Sequence, residues 1–269
     1  MMKKLVAATL PALTVAALSG GCDLQTNQSL ADDAAASVSQ TQQAAGLTKL
    51  ITQPLDTEQP ASPEEATETM QAKGIAGLYP ADCVTITPNS LVSVHVQFDD
   101  CTGPFGLLHL TGGVEAEVSL NEEGTVEMDL ADSGDLTVEG NSVDYEAHAV
   151  FLSIGVDSEL LWTGHWSAET SWGDLATHDT DLRIKFNALT RCIRLDGSAD
   201  SALGERGLEW DIDGYSVCPL ECPAGGVVTA TGIESGETVV ITFDGSDSAD
   251  VTLPDGETYD VPLVCSALL

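Results

Sequence analysis

The chain has 269 residues, of which 43 are acidic and 9 are lysine or arginine, so it carries a formal net charge of −34 at neutral pH. A nucleic-acid phosphate backbone needs a basic surface, so this charge argues against nucleic acid as a partner. Hydrophobic residues make up 43% of the sequence, which at this length predicts a folded protein with a buried core.

Residues 1–21 have the pattern of a secretory signal peptide, with two lysines, fourteen mostly apolar residues from Leu5 to Leu18, and then small residues. The apolar run is too short to cross a bilayer, because fourteen residues span about 21 Å of helix against about 30 Å of hydrocarbon. Leu18-Ser19-Gly20-Gly21-Cys22 resembles the lipobox of bacterial lipoproteins, in which the cysteine becomes the acylated N-terminus. The small residues before Cys22 also suit an ordinary signal peptidase, so a soluble exported protein is the alternative.

The seven cysteines are an odd number, whereas exported thiols usually pair. Assigning Cys22 to lipid leaves six for disulfides, and this parity favours lipidation of Cys22. A hairpin turning near residue 205 would place Cys192 opposite Cys218, and nearest-neighbour pairing then joins the other four. A cysteine metal site is the weaker alternative, because an oxidising compartment favours disulfides. The predicted pairs are Cys192 with Cys218, Cys83 with Cys101, and Cys222 with Cys265.

Residues 22–79 are predicted to hold the anchor cysteine, a polar tether and a short helix. Ser62 supplies an N-cap, Pro63 a first helical position and Lys73-Gly74 a stop, which together predict a helix from Pro63 to Lys73. The stretch Leu30 to Ile51 is compatible with a helix, but its Ala, Gln and Ser content also fits a flexible spacer.

Residues 80–269 are predicted to form one acidic, disulfide-bonded β domain. Apolar and polar residues alternate repeatedly, which indicates strands with one buried face, and turn signals such as Asp255-Gly256 separate them. The sequence therefore predicts an all-β fold, a large antiparallel curved sheet, sandwich or barrel, preceded by a short helical or flexible tether. The clearest alternating runs are Val92–Phe98, Val114–Leu120, Val126–Leu130, Val143–Ala149 and Leu208–Ile212.

Three carboxylates between β-like segments, Asp244, Asp247 and Asp250, are the candidate calcium ligands. Their spacing lacks the mid-loop glycine and terminal glutamate of an EF-hand, so a solvated acidic turn is the alternative. No other cofactor is expected. No serine-nucleophile elbow, phosphate-binding loop or compact zinc motif occurs in the sequence, and no catalytic residue is predicted.

Histidines and tryptophans provide two further candidate sites. His95, His109 and His148 fall on the polar phase of their strands, as partly exposed residues or as part of a histidine-carboxylate metal site. Trp162 and Trp166 share one phase, which favours a place in the core, with an exposed sugar-binding platform as the alternative.

The acylatable cysteine, polar spacer and acidic β-rich domain together resemble uncharacterised lipoproteins of myxobacteria and their relatives. The stretches Phe98–Gly106 and Thr242–Ser246, followed by Cys265, carry the resemblance, which implies an envelope location. We therefore expect a non-enzymatic protein, anchored by lipid to the membrane, with the outer membrane of a Gram-negative bacterium as the expected site. It would bind an unknown protein or serve a structural role, and the alternative is a carrier of a small apolar ligand in a curved β cavity.

Overall fold

The described part of the chain folds as two α-helices and a short 3-10 helix followed by 14 β-strands. The computed structural model describes residues 27–55, 60–102, 109–169, 175–187, 189–190, 192–218 and 221–263. The predicted signal peptide, Cys22, Trp172 and Cys265 lie outside these residues. The helices are α1 (Asn27–Thr52), the 3-10 helix Gln53–Leu55 and α2 (Pro63–Lys73). The strands are β1 (Val84–Pro88), β2 (Ser93–Thr102), β3 (His109–Leu120), β4 (Val126–Asp132), β5 (Thr137–Val138), β6 (Asn141–Ser153), β7 (Asp157–Glu169), β8 (Leu175–Asn187), β9 (Ile193–Leu203), β10 (Arg206–Val217), β11 (Gly225–Gly232), β12 (Thr238–Phe243), β13 (Ser248–Thr252) and β14 (Thr258–Pro262).

The strands form one antiparallel sheet with a barrel-like closure, in which each strand pairs with its neighbour along the chain. The two-residue strand β5 is off this path and pairs with β3 and β6. This arrangement confirms the predicted all-β class and resolves the alternative of two packed sheets in favour of one. It follows from the alternating pattern, because short turns between half-buried strands allow each strand to pair with the next.

The inner face of the sheet carries the apolar phase of each predicted strand. On β2, Val94, Val96 and Phe98 are at most 1% exposed, while the intervening residues are half-buried. The same alternation runs through β4, β6 and β10. The hydrophobic core therefore lies on one side of a single sheet.

Helix α1 covers this inner face, in contrast to the flexible spacer that its composition also allowed. It contacts β6, β7, β8, β10, β11 and β12. Its buried residues recur every three or four positions, which is the spacing of one helix face. One hydrophobic core contains residues of α1, α2 and the sheet. The buried stripe is Leu30, Ala34, Ser37, Thr41, Ala44, Thr48 and Ile51.

Helix α2 has the predicted bounds and the predicted caps. The Ser62 hydroxyl accepts a hydrogen bond from the Glu65 backbone N–H at 3.2 Å, and Pro63 occupies the first helical turn. At the other end, the Gly74 N–H donates to the Met70 carbonyl with a positive φ of 63°. These contacts satisfy helix-end groups that would otherwise lack partners. In the described part of the chain, no helix is long and apolar enough to cross a membrane.

Two predicted disulfides are present, Cys83–Cys101 and Cys192–Cys218, with Cα atoms 5.3 Å and 4.1 Å apart. Cys222 also belongs to a disulfide, while Cys265, its predicted partner, lies outside the described residues. Disulfides of this kind are typical of an oxidising, exported environment.

Candidate functional site

The outer face of the sheet is an acidic surface. Across five neighbouring strands, Glu146, His165, Asp179, Asp200 and Glu209 stand directly opposite one another in the ladder. Asp179, Asp200 and Glu209 are exposed and carry like charges in adjacent register positions. Opposed like charges destabilise a sheet, so screening by salt or by cations favours this fold.

Histidines lie among these carboxylates and bond to them. His148 Nδ1 is 2.7 Å from an oxygen of Asp129, and His165 Nδ1 is 2.8 Å from an oxygen of Asp179. Both pairs line one open groove of about 520 Å³ on the outer face. The two imidazoles bond to different strands, His148 to β4 and His165 to β8. These hydrogen bonds to carboxylates are sufficient to explain both histidines structurally.

The other two predicted histidines are also on the polar side of their strands. His95 bonds to Glu115 at 2.8 Å and to Gln97 at 3.0 Å. Partial burial lowers the pKa of His95, but the hydrogen bonds to Gln97 and Glu115 outweigh it, and the net shift of the pKa is upward. His109 lies 3.5 Å from the Thr102 hydroxyl. Within the described ranges, no three His, Cys, Asp or Glu residues are placed to hold a metal ion.

The three predicted calcium ligands lie at the β12–β13 hairpin but have different neighbours. Asp244 accepts a hydrogen bond from the Ser246 N–H at 2.9 Å, and bonds from Ser246 hold the pKa of this exposed carboxyl below its usual value. Asp247 lies in the exposed turn. Asp250 instead faces Asp260 across the β13–β14 ladder. A hydrogen bond between the Asp250 and Asp260 carboxyls, which needs a proton on one of them, and the repulsion between their charges raise the pKa of Asp250. Calcium binding there stays a prediction.

We predict that Asp250→Asn raises the thermal midpoint at neutral pH. Because the pKa of Asp250 is raised in the folded state, the ionised carboxylate opposes folding. The stabilisation by Asp250→Asn is therefore present above that pKa and disappears as acid protonates the Asp250 carboxyl of the wild type. Thermal unfolding at low and high salt measures it, and salt reduces the difference by screening. The matched control Asp247→Asn, in the same hairpin, leaves the midpoint unchanged. A midpoint that falls for Asp250→Asn only when calcium is added would support the calcium site instead.

The inner face contains a buried polar cluster where α1 meets the sheet. Ser37 comes from α1, His178 from β8, Ser201 from β9 and Trp210 from β10. The Trp210 Nε1–H donates to the Ser37 hydroxyl at 2.7 Å and lies 3.1 Å from the Ser201 hydroxyl. His178 Nδ1 is 2.8 Å from the Ser201 Oγ and 3.3 Å from the Ser37 Oγ, and the two hydroxyls also contact each other. One helix is thereby hydrogen-bonded to three strands.

An ion pair and a small cavity adjoin this cluster. Arg206 Nη1 lies 3.3 Å from a carboxylate oxygen of Asp33 on α1, and both residues line the cavity together with Ser37 and His178. The cavity holds about 30 Å³, which is room for about one water molecule. Burial lowers the pKa of His178 to about 4, so the imidazole is neutral at physiological pH.

Sequence reasoning missed His178, although a signal for it exists. Alternate residues of β8 face the core. His178 belongs to this buried set, which also contains Ala176, Thr180, Leu182 and Ile184. A histidine in that phase is buried and needs hydrogen-bond partners. The partner hydroxyl on α1 comes from a residue 141 positions away, which no local pattern reveals.

The predicted tryptophan pair is buried, as expected for core residues. Trp162 is 1% exposed and Trp166 is 3% exposed, and Trp166 packs edge-on against Tyr145. A sugar platform requires these rings in solvent, so the burial of Trp162 and Trp166 is against that alternative. Comparison of the chain with protein-family models, with curated proteins and with solved structures finds no match.

Proposed function

We propose that this protein is a non-enzymatic, lipid-anchored component of the cell envelope, held at the outer membrane of a Gram-negative bacterium through Cys22. Cysteine pairing carries the proposal. Two predicted disulfides are formed and Cys222 is also bonded, and with Cys265 as the predicted partner of Cys222 the remaining unpaired cysteine would be Cys22. A lipobox-like segment ends at that same cysteine.

The start of α1 supports close attachment to a membrane. Asn27 of α1 is the first residue that the structure describes, and it lies five residues after Cys22. Five extended residues reach at most about 18 Å. An acylated Cys22 would therefore hold the folded body against the bilayer surface, with little freedom to move away from it.

The body has its charged face outward and its apolar face covered, which supports a binding or structural role. A carrier would place its ligand against the apolar inner face, and α1 occupies that place across six strands. The outer face, with its exposed carboxylates, is open to a partner whose surface is cationic. Charge complementarity of this kind speeds association and selects partners.

Cys22→Ser tests the anchor. We expect wild-type protein in the membrane fraction, with the intact mass of a chain that begins at Cys22, carries acyl chains and has no free thiol. The variant is expected in the soluble exported fraction, because the acyl chains that supply the membrane affinity are lost. Thr26→Ala, four residues further along, is the matched control and stays with the membrane. An unacylated wild-type Cys22, or a retained leader, would overturn the proposal.

A further inference from the structure

The hydrogen bonds that Ser37 of α1 makes to the sheet lie around one buried histidine, while Thr48 of α1 bonds separately to the Tyr145 hydroxyl on β6. His178 is 4% exposed, and Ser37, Ser201 and Trp210 surround its Nδ1 side with neutral groups. On β7, the residue directly opposite His178 in the ladder is Trp166, which is also neutral and buried. This environment accommodates an uncharged imidazole and disfavours an imidazolium.

The charged groups around His178 do not reverse this preference. Asp33 on α1 is paired with Arg206 on β10, so the two charges offset each other beside the cluster. Asp179, the next residue on β8, points to the outer face, where it bonds to His165 of β7. Asp179 raises the pKa of His178 and His165 lowers it, and burial, the largest cause, holds the pKa below its ordinary value.

We propose that His178 is a proton-operated latch, which fastens helix α1 to the inner face of the sheet while neutral and releases the helix when it takes up a proton. Protonation places a charge among neutral groups and makes both ring nitrogens donors, so the imidazolium can no longer accept a hydrogen bond from a neighbouring hydroxyl. Release lets the imidazolium reach water and exposes the apolar inner face.

The direction of the pH effect follows from linkage. The folded state binds the His178 proton near pH 4, whereas a released His178 binds it near its ordinary value of 6.5. The free energy with which neutral His178 holds α1 against the sheet is therefore at its full value above pH 6.5 and decreases as the pH falls toward 4. Between pH 7.5 and pH 5, the opening equilibrium of α1 is expected to increase about 30-fold.

Hydrogen exchange on the mature full-length protein tests the latch. We expect protection factors of amides in residues 27–55, corrected for intrinsic exchange, to fall about 30-fold from pH 7.5 to pH 5, while those of β6–β9 change little. Binding of an apolar fluorescent dye should increase over the same range. His178→Gln, whose side chain cannot be protonated, should abolish both changes. His165→Gln, on the neighbouring strand and exposed, is the matched control and should retain them.

A measurement on the unaltered protein covers the case in which His178→Gln does not fold. Histidine ring resonances in NMR should show His178 titrating far below 6.5, together with the loss of α1 protection. The proposal would be overturned if buried His178 titrates near its ordinary value of 6.5. It would also be overturned if the protection of α1 stays constant down to pH 5. The same holds if His178→Gln folds and keeps the wild-type pH dependence. None of these results depends on the acylation of Cys22.

Discussion

Trp210→Ala is expected to lower the free energy of unfolding by about 3–5 kcal/mol, the largest effect of any single substitution considered for this protein. Trp210 is 1% exposed and lies between the sheet and α1. Truncation leaves a cavity of nearly the whole indole, and it removes the donor that the Ser37 and Ser201 hydroxyls share. Denaturant unfolding monitored by circular dichroism measures the loss.

A matched pair of conservative variants separates packing from hydrogen bonding at this position. Trp210→Phe and Trp162→Phe remove the same atoms from side chains that are both 1% exposed. Among the described residues, Trp162 Nε1 makes no hydrogen bond of ordinary geometry, although it lies near the Tyr145 hydroxyl, whereas Trp210 Nε1 donates to the polar cluster. Trp210→Phe should therefore cost about 1 kcal/mol more than Trp162→Phe. Equal losses would show that the indole N–H contributes nothing to holding α1.

Replacing the Cys192–Cys218 disulfide by two serines is expected to cost about 3.5 kcal/mol, as the chain-entropy model gives for a loop of 26 residues. The disulfide joins the ends of β9 and β10 that lie away from the turn. Its removal increases mainly the conformational entropy of the unfolded chain, which lowers the free energy of unfolding. Thermal and denaturant unfolding under non-reducing conditions measure the change.

Reduction of the wild type supplies the comparison for the double variant. Full reduction also opens Cys83–Cys101, so it should destabilise the wild type more than the two serine substitutions do. The variant should in turn remain sensitive to reduction. A loss below about 1 kcal/mol in the double variant would contradict the role assigned to this bond.

Local sequence patterns were sufficient for five of the strands and for α2. Alternation determined which residues of β2, β3, β4, β6 and β10 face the core, because successive side chains on a strand point to opposite faces. Helix α2 carries its start and stop signals within a few residues, so its bounds could be predicted from Ser62, Pro63 and Gly74. Turn signals such as Asp255-Gly256 also indicated hairpins between neighbouring strands.

Strand register near the disulfides depends on bulges that alternation does not reveal. Beside the β9–β10 turn, Leu203 faces Arg206, and this register continued to the open end would place Cys192 opposite Val217. A bulge between Ile212 and Tyr215, where Gly214 has a φ of 68°, shifts the register by one residue and brings Cys192 to Cys218. A comparable shift after Phe98 precedes Cys101.

Local patterns were enough to predict the β class, the burial phase of the clearest strands, the short helix and two cysteine pairs, since each depends on residues close together or on a simple hairpin. The position of α1 on the inner face and the contact of Ser37 with His178 depend instead on long-range packing. The stripe on α1 is largely alanine, serine and threonine, and such residues suit either a free spacer or a closely packed helix. Which of the two forms depends on the surface opposite, which strands more than a hundred residues away supply.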